Sequence, residues 1–135
     1  MALQFSTAVR NALLDSIETA TGTSAIVRIW SGTLPASCTT ADAGTKIVEI
    51  ALAADWASNA ASGTKAFSST PLNTTAVGTG TAAYFRLMAS DGTTCHMQGT
   101  VGLAAATPDM TLDNTSINSG QTVTITSWSL TAPGA

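Results

Sequence analysis

The stretch AAYFRLMASDGTTCHMQGTV (residues 82–101) predicts a β-hairpin, and with it a β fold. Its two ends are runs of strand-forming residues, and Asp91-Gly92 between them is a strong turn signal. A two-residue Asp-Gly turn would mix apolar and polar side chains on each face, whereas a loop of odd length separates them. The inner face is then expected to hold Phe85, Leu87, Cys95, Met97 and Val101, and the outer face Tyr84, Arg86, His96 and Gln98.

The adjacent Cys95 and His96 suggest a nucleophile beside a general base. Neighbouring residues on a strand point to opposite sides of the sheet, so these two side chains cannot act on one substrate atom. We therefore interpret the pair as part of a strand and assign no catalytic residue to it.

Similar strand patterns recur along the chain. Strands are also predicted at residues 24–30, 45–52 and 121–130, and the last changes phase near Thr126–Ser127, which predicts a β-bulge or a second buried face. Two long polar connections, 31–44 and 54–83, separate them. We expect a mainly β, single-domain β-sandwich over residues 1–135, made of a helical segment (1–22), strands and long loops (23–131) and a frayed tail (132–135).

The first 22 residues predict the one helix of the chain. Ser6 or Thr7 can cap its start and Gly22 can end it. Val9, Leu13 and Ile17 recur at four-residue spacing and form an apolar stripe. The stripe predicts a helix lying on the sheet, and the alternative is a segment that reaches another subunit.

Composition excludes several classes of function. The net charge is −3, and the five Lys and Arg residues are too dispersed to follow a phosphate backbone, so no nucleic-acid partner is expected. No apolar run is long enough for a membrane span, and the N-terminus does not resemble a secretory signal, so we expect synthesis in a cytosol and no membrane partner. Charged residues are only 10% of the chain, which predicts a surface partly covered by other proteins.

Neither a metal site nor a cofactor site is expected. One His and two distant Cys fall short of any zinc pattern, and the acidic residues lack the spacing of a calcium loop. The segment VGTGTA (77–82) has no Lys and no following helix, so it does not predict a phosphate loop. The sequence does not indicate an enzyme.

The sequence allows two alternatives for the cysteine pair and two for Trp56. Cys38 and Cys95 either stay as buried thiols or form a disulfide, and the disulfide requires the 31–44 loop to fold back over the sheet. Trp56 lies in a loop poor in apolar residues, so it packs either in the core or against a neighbouring subunit.

Four segments together resemble the small virion proteins of tailed bacteriophages: FSTAVRNALLDSIETATG, SAIVRIWSGTLPASC, AAYFRLMASDGTTCHMQGTVG and LDNTSINSGQTVTITSWSLT. They look like capsid decoration (cement) proteins. The resemblance implies a jelly-roll-like β-sandwich, made in the host bacterial cytoplasm, that binds the major capsid protein on the capsid exterior. It also implies a homo-oligomer, dimer or trimer, with no active-site residues.

On this basis we expect Phe5, Val9 and Trp56 to supply contacts to the shell or between copies. The alternative is another virion component, such as a tail or baseplate part or a receptor- or sugar-binding module.

Overall fold

The computed structural model describes residues 3–67 and 71–135. In these ranges one α-helix is followed by strands and a single turn of 3₁₀-helix. The elements are α1 (Thr7–Thr21), β1 (Ile26–Trp30), β2 (Lys46–Ala51), β3 (Thr64–Ala66), β4 (Leu72–Thr75), β5 (Gly80–Thr81), β6 (Tyr84–Met88), β7 (Cys95–Gly102), the 3₁₀ turn (Ala104–Ala106), β8 (Met110–Leu112), β9 (Ser116–Ile117) and β10 (Thr122–Thr131).

The predicted hairpin, β6 and β7, lies near the middle of one curled sheet. The strand order is β2-β1-β6-β7-β8-β10-β3, with β4 also paired to β10, and β5 pairs with β9 apart from it. The pairs are antiparallel except β7 and β8, which run parallel with Val101 opposite Met110. The expected mainly β, sandwich-like single domain with an N-terminal helix is confirmed.

The hairpin has the predicted separation of faces, with one exception. Leu87 lies opposite Met97 and Arg86 opposite Gln98, and Phe85, Leu87 and Val101 belong to the core. The register shifts between Leu87 and Met88, so that Cys95 lies opposite Met88. Because of this bulge Cys95 leaves the inner face, and the prediction that it points into the core is wrong.

Four aromatic side chains form the centre of the core. The ring of Trp128 lies 4.7 Å from Phe67 and 5.4 Å from Phe85, and Trp56 stacks on Phe67 at 5.7 Å between centroids. A register shift between Ile125 and Ser127 in β10 turns Trp128 inward, as the change of phase predicted. Trp56 is only 1% exposed, so the prediction that it faces another subunit is wrong. The loop that carries it folds under the helix instead, where its Nε1 donates to the carbonyl of Gly22.

Helix α1 starts and ends where the sequence predicts. The Ser6 hydroxyl accepts a hydrogen bond from the Val9 amide, and Gly22 follows the last turn with a positive φ of 80°. The tail beyond β10 is not frayed at its start: Ala132 is buried, and its amide donates to Gly63. Within the described ranges, no helix has both the length and the apolar character needed to cross a membrane.

Candidate interaction surface on the N-terminal helix

Helix α1 is docked on the sheet through its polar side. Arg10 is buried, and its Nε and Nη2 both donate to the carbonyl of Ala132. The Asn11 side chain accepts from the amide of Gly63, at 2.8 Å. Gly63 has a positive φ of 74°, and a Cβ there would lie 2.3 Å from the Arg10 guanidinium carbon. The glycine therefore allows both the turn and the close approach of the helix.

A buried ammonium group completes this docking. The side chain of Lys65 on β3 is fully buried, and its Nζ lies 2.7 Å from Asp15 and 3.1 Å from Glu18. It also donates to the carbonyl of Ser58. Burial alone would lower the pKa of Lys65, but the bonds to Asp15 and Glu18 outweigh it and raise the pKa. The bond from Lys65, with one from the Ala60 amide, holds the pKa of Asp15 below its ordinary value.

This docking buries Leu14 but leaves part of the apolar side of the helix in solvent. Leu14 is 3% exposed, whereas Val9 and Leu13 are 44% and 45% exposed. The prediction that the stripe of Val9, Leu13 and Ile17 lies on the sheet is therefore wrong for Val9 and Leu13, and only Ile17 packs against the core. The rotation follows from the polar contacts, because turning Val9 and Leu13 inward would carry Arg10 and Asp15 away from their partners.

Phe5 extends the exposed apolar side chains beyond the start of the helix. It precedes the cap residue, is 36% exposed, and its amide donates to the carbonyl of Gly134. Phe5, Val9 and Leu13 follow one another at four-residue spacing, and we call them the exposed stripe. Two of these three were expected from the sequence to make contacts. The stripe prediction had placed Leu13, and also Val9, on the sheet.

The outer face of the hairpin is covered by the 31–44 loop. Arg86 is 3% exposed; its Nη1 donates to Asp42 and its Nη2 to the carbonyl of Ser37. Gln98 donates to the carbonyl of Pro35. Tyr84 is fully buried and exchanges hydrogen bonds with Ala43, and burial raises its pKa. A face that was predicted to be polar and outward is thus an interior surface.

The same loop brings the two cysteines together. The Sγ atoms of Cys38 and Cys95 lie 2.7 Å apart, as free thiols, and both residues are partly buried. Burial, with the neighbouring Cys38, raises the pKa of Cys95 to about 12. His96 is exposed and has no such contact with Cys95.

The described surface also has concave sites, one of them beside α1. This site, of about 420 Å³, is lined by Asp15, Glu18 and Asn59, but its two carboxylates already bind Lys65. Another, of about 300 Å³, is lined by core side chains such as Phe85 and Trp128 together with the polar residues Gln98, Asp109 and Ser129. Among residues 3–67 and 71–135 no group of three His, Cys, Asp or Glu is placed to hold a metal ion.

Lys65 and Arg86 are the structural residues that sequence reasoning missed. Each is a single cation inside a short strand, with apolar or small neighbours. That pattern usually indicates an outward-facing side chain, and only the distant partners show that both are buried.

Comparisons with protein-family models, with curated proteins and with solved structures give no significant match for this chain.

Proposed function

We propose that the protein is a structural virion protein that decorates and stabilises the outer surface of a tailed-phage capsid. In this proposal it acts as a homo-oligomer, a dimer or trimer, and binds the major capsid protein. The structural support for the proposal is the orientation of α1, which buries Arg10 against Ala132, brings Asp15 to the Ala60 amide and turns the exposed stripe outward. The resemblance to decoration proteins supplies the particular assembly.

The exposed stripe is suited to association with protein. Burying a large apolar side chain that was exposed contributes about 1.5–3 kcal/mol, so partial burial of three such side chains gives a contact of modest strength. A decoration protein needs no more than this, because contacts repeated by symmetry gain avidity from one another. Phe5 and Val9 keep the contact role that the sequence suggested, Leu13 joins them, and Trp56 leaves the set.

The small number of free cationic side chains also supports an apolar contact with the partner protein. Of the five Lys and Arg residues, Lys65 and Arg86 are buried in ion pairs, and Arg28 and Lys46 both bind Glu49. Few cations are left to bind an acidic partner. Attachment to particles should therefore weaken only modestly from low to high salt, since salt screens chiefly exposed charges.

The test uses phage particles from which this protein has been deleted, incubated with purified protein. The variant Val9→Gln with Leu13→Gln keeps good helix formers but removes two members of the exposed stripe. We expect it to lower the bound copies per particle at least ~10-fold, measured by quantitative mass spectrometry, with an unchanged melting curve. Restoring wild-type protein should raise the temperature at which particles release DNA, because a protein that binds only the intact shell stabilises that shell.

The matched control is Ala8→Gln with Thr19→Gln. Both residues are exposed on α1 but lie about 80–100° around the helix axis from Val9. This variant should bind as the wild type does. A few copies per particle, found on purified tails, would support the tail or baseplate alternative. Particles that resist heat equally well without the protein would contradict the stabilising role.

A further inference from the structure

The 31–44 loop is fixed on both sides of Cys38. Immediately before it, the carbonyl of Ser37 accepts from Arg86, and farther along Asp42 binds the same guanidinium at 2.8 Å. Tyr84 then holds Ala43. The position of Cys38 over β7 therefore results from several independent contacts and does not depend on the thiol.

The bulge in the hairpin places Cys95 next to Cys38. The register shift turns Cys95 to the loop side, whereas Met97, two residues along, packs against the core. The two Sγ atoms are in contact at 2.7 Å. They are the only two cysteines of the chain, so no other thiol competes for either.

We propose that Cys38 and Cys95 are a redox latch: in the folded protein they form an intramolecular disulfide by exchange with a small-molecule disulfide such as oxidised glutathione. The bridge converts a loop held by hydrogen bonds and one ion pair into a covalently attached one. In a reducing cytosol the protein holds two thiols, and the latch closes after transfer to oxidising surroundings. This inference does not rest on the proposed function.

The exchange balances without a further reactant. One thiolate attacks oxidised glutathione, forms a protein–glutathione mixed disulfide and releases one glutathione thiolate. The second cysteine, as thiolate, attacks the protein sulfur of that mixed disulfide and releases the second glutathione. Two electrons pass from the protein to oxidised glutathione, and the two thiol protons are taken up, through solvent, by the two glutathione thiolates that are released.

The order of the two steps follows from the local environment. The raised pKa of Cys95, caused by burial and by Cys38, keeps that group as a thiol. Because the thiolate is the nucleophile, we assign the first attack to Cys38 and the second to Cys95.

The experiment treats native protein with oxidised glutathione, quenches with acid, alkylates, and measures intact mass without reductant. We expect the loss of two hydrogens, protection of both cysteines from alkylation, and a single cross-linked peptide containing Cys38 and Cys95. The bridge joins residues 57 positions apart, so the melting temperature should rise by roughly 10 °C relative to reduced protein. The variant Cys38→Ser with Cys95→Ser should show no response to the oxidant.

The single variants separate the two steps. Cys95→Ser should stop at a mixed disulfide on Cys38, seen as one added glutathione. Cys38→Ser should accept glutathione at least ~10-fold more slowly. The proposal is overturned by free alkylation of both cysteines after treatment, by a disulfide between two chains, or by oxidised protein that melts no higher than reduced protein.

Discussion

Helix α1 and the 31–44 loop both pack over the sheet, and each lies over a buried cation. We call α1 the helix cover and the 31–44 loop the loop cover. Under the helix, Lys65 has two carboxylates and a carbonyl as partners. Under the loop, Arg86 has only Asp42 and the carbonyl of Ser37, and its Nε has no partner among the described residues. The Nε1 of Trp30 and the Oε1 of Gln98 are likewise buried and unpartnered.

The 31–44 loop is the more weakly held of the two segments. A buried polar atom without a partner loses its hydration and gains nothing in return, at a cost of about 1–3 kcal/mol. The loop therefore covers more buried polar atoms without partners than the helix does, and these atoms destabilise its packing. We therefore expect the loop to open before the helix.

Trp56→Ala should have the largest effect, because it removes the core side chain on which the helix end rests. The indole stacks on Phe67 and donates to the carbonyl of Gly22. We expect a loss of about 3–5 kcal/mol in the free energy of unfolding, measured by urea denaturation. Trp56→Phe keeps most of the stacking and should lose less. A change below about 1 kcal/mol for Trp56→Ala would mean that the residue lies at the surface after all.

Leu14→Ala and Leu13→Ala test the rotation of the helix. The residues are neighbours with the same side chain, and Leu14 is buried whereas Leu13 is 45% exposed. Leu14→Ala should cost about 2–5 kcal/mol through the cavity that it leaves. Leu13→Ala should change stability by only about 0.5 kcal/mol, as surface substitutions do. The reverse order would restore the apolar stripe to the sheet and remove the basis of the exposed stripe.

Asp42→Asn should weaken the loop cover alone. It replaces the one carboxylate that neutralises Arg86 with a neutral amide whose oxygen can still accept a hydrogen bond, and the weakening of this charge-assisted bond should cost up to about 1.5–3 kcal/mol. Asp55→Asn, an exposed position in another loop, is the matched control and should have little effect. Hydrogen exchange should quicken in residues 31–44 and remain unchanged in α1. Equal quickening in both would show that the two covers are not independent.

The sequence predicted the longer strands, since apolar alternation in 84–88 and 122–131 follows directly from the pleat. The short strands β3, β4 and β5 lie within 54–83, which was predicted to be a polar connection. The sequence also predicted both ends of the helix, because caps are local. It could not predict the rotation of α1, which depends on Gly63, Lys65 and Ala132 far along the chain. Apolar periodicity identifies one face of a helix, but it does not say whether that face meets the core or a partner.

The prediction that the outer face of the hairpin is exposed was wrong for a related reason. Polar residues on one face of β6 indicate that this face is exposed to solvent, unless another segment supplies partners for them. The sequence of a long polar loop gives no sign that the loop will supply such partners. The parallel pairing of β7 with β8 was equally hidden, because only seven residues, 103–109, connect the two strands, and so short a connection normally joins antiparallel strands. Local patterns thus predicted the helix and the longer strands, and long-range polar contacts decided which surfaces remained exposed.

The smallest effect is expected in the acid dependence of the helix cover. The pKa of Asp15 is lowered by the hydrogen bond from Lys65 and then by that from the Ala60 amide, against the opposing effect of burial. A carboxylate whose pKa is lowered in the folded state stabilises the fold at pH values above its unfolded-state pKa of 3.8. That contribution is lost as the pH falls from 3.8 through the lower pKa of the folded state.

Asp15→Asn should therefore flatten the stability curve below pH 3.8 while leaving its shape between neutral pH and that point unchanged. Urea midpoints measured across the acid range test this. Asp91, whose pKa is lowered by hydrogen bonds from the Thr94 hydroxyl and from the Thr93 and Thr94 amides, also titrates in this range but belongs to the hairpin turn. Asp91→Asn is thus the control that keeps the helix cover intact. If Asp15→Asn and wild type lose stability in parallel on acidification, the Lys65 contacts do not hold the helix, and the two covers are more alike than their geometry indicates.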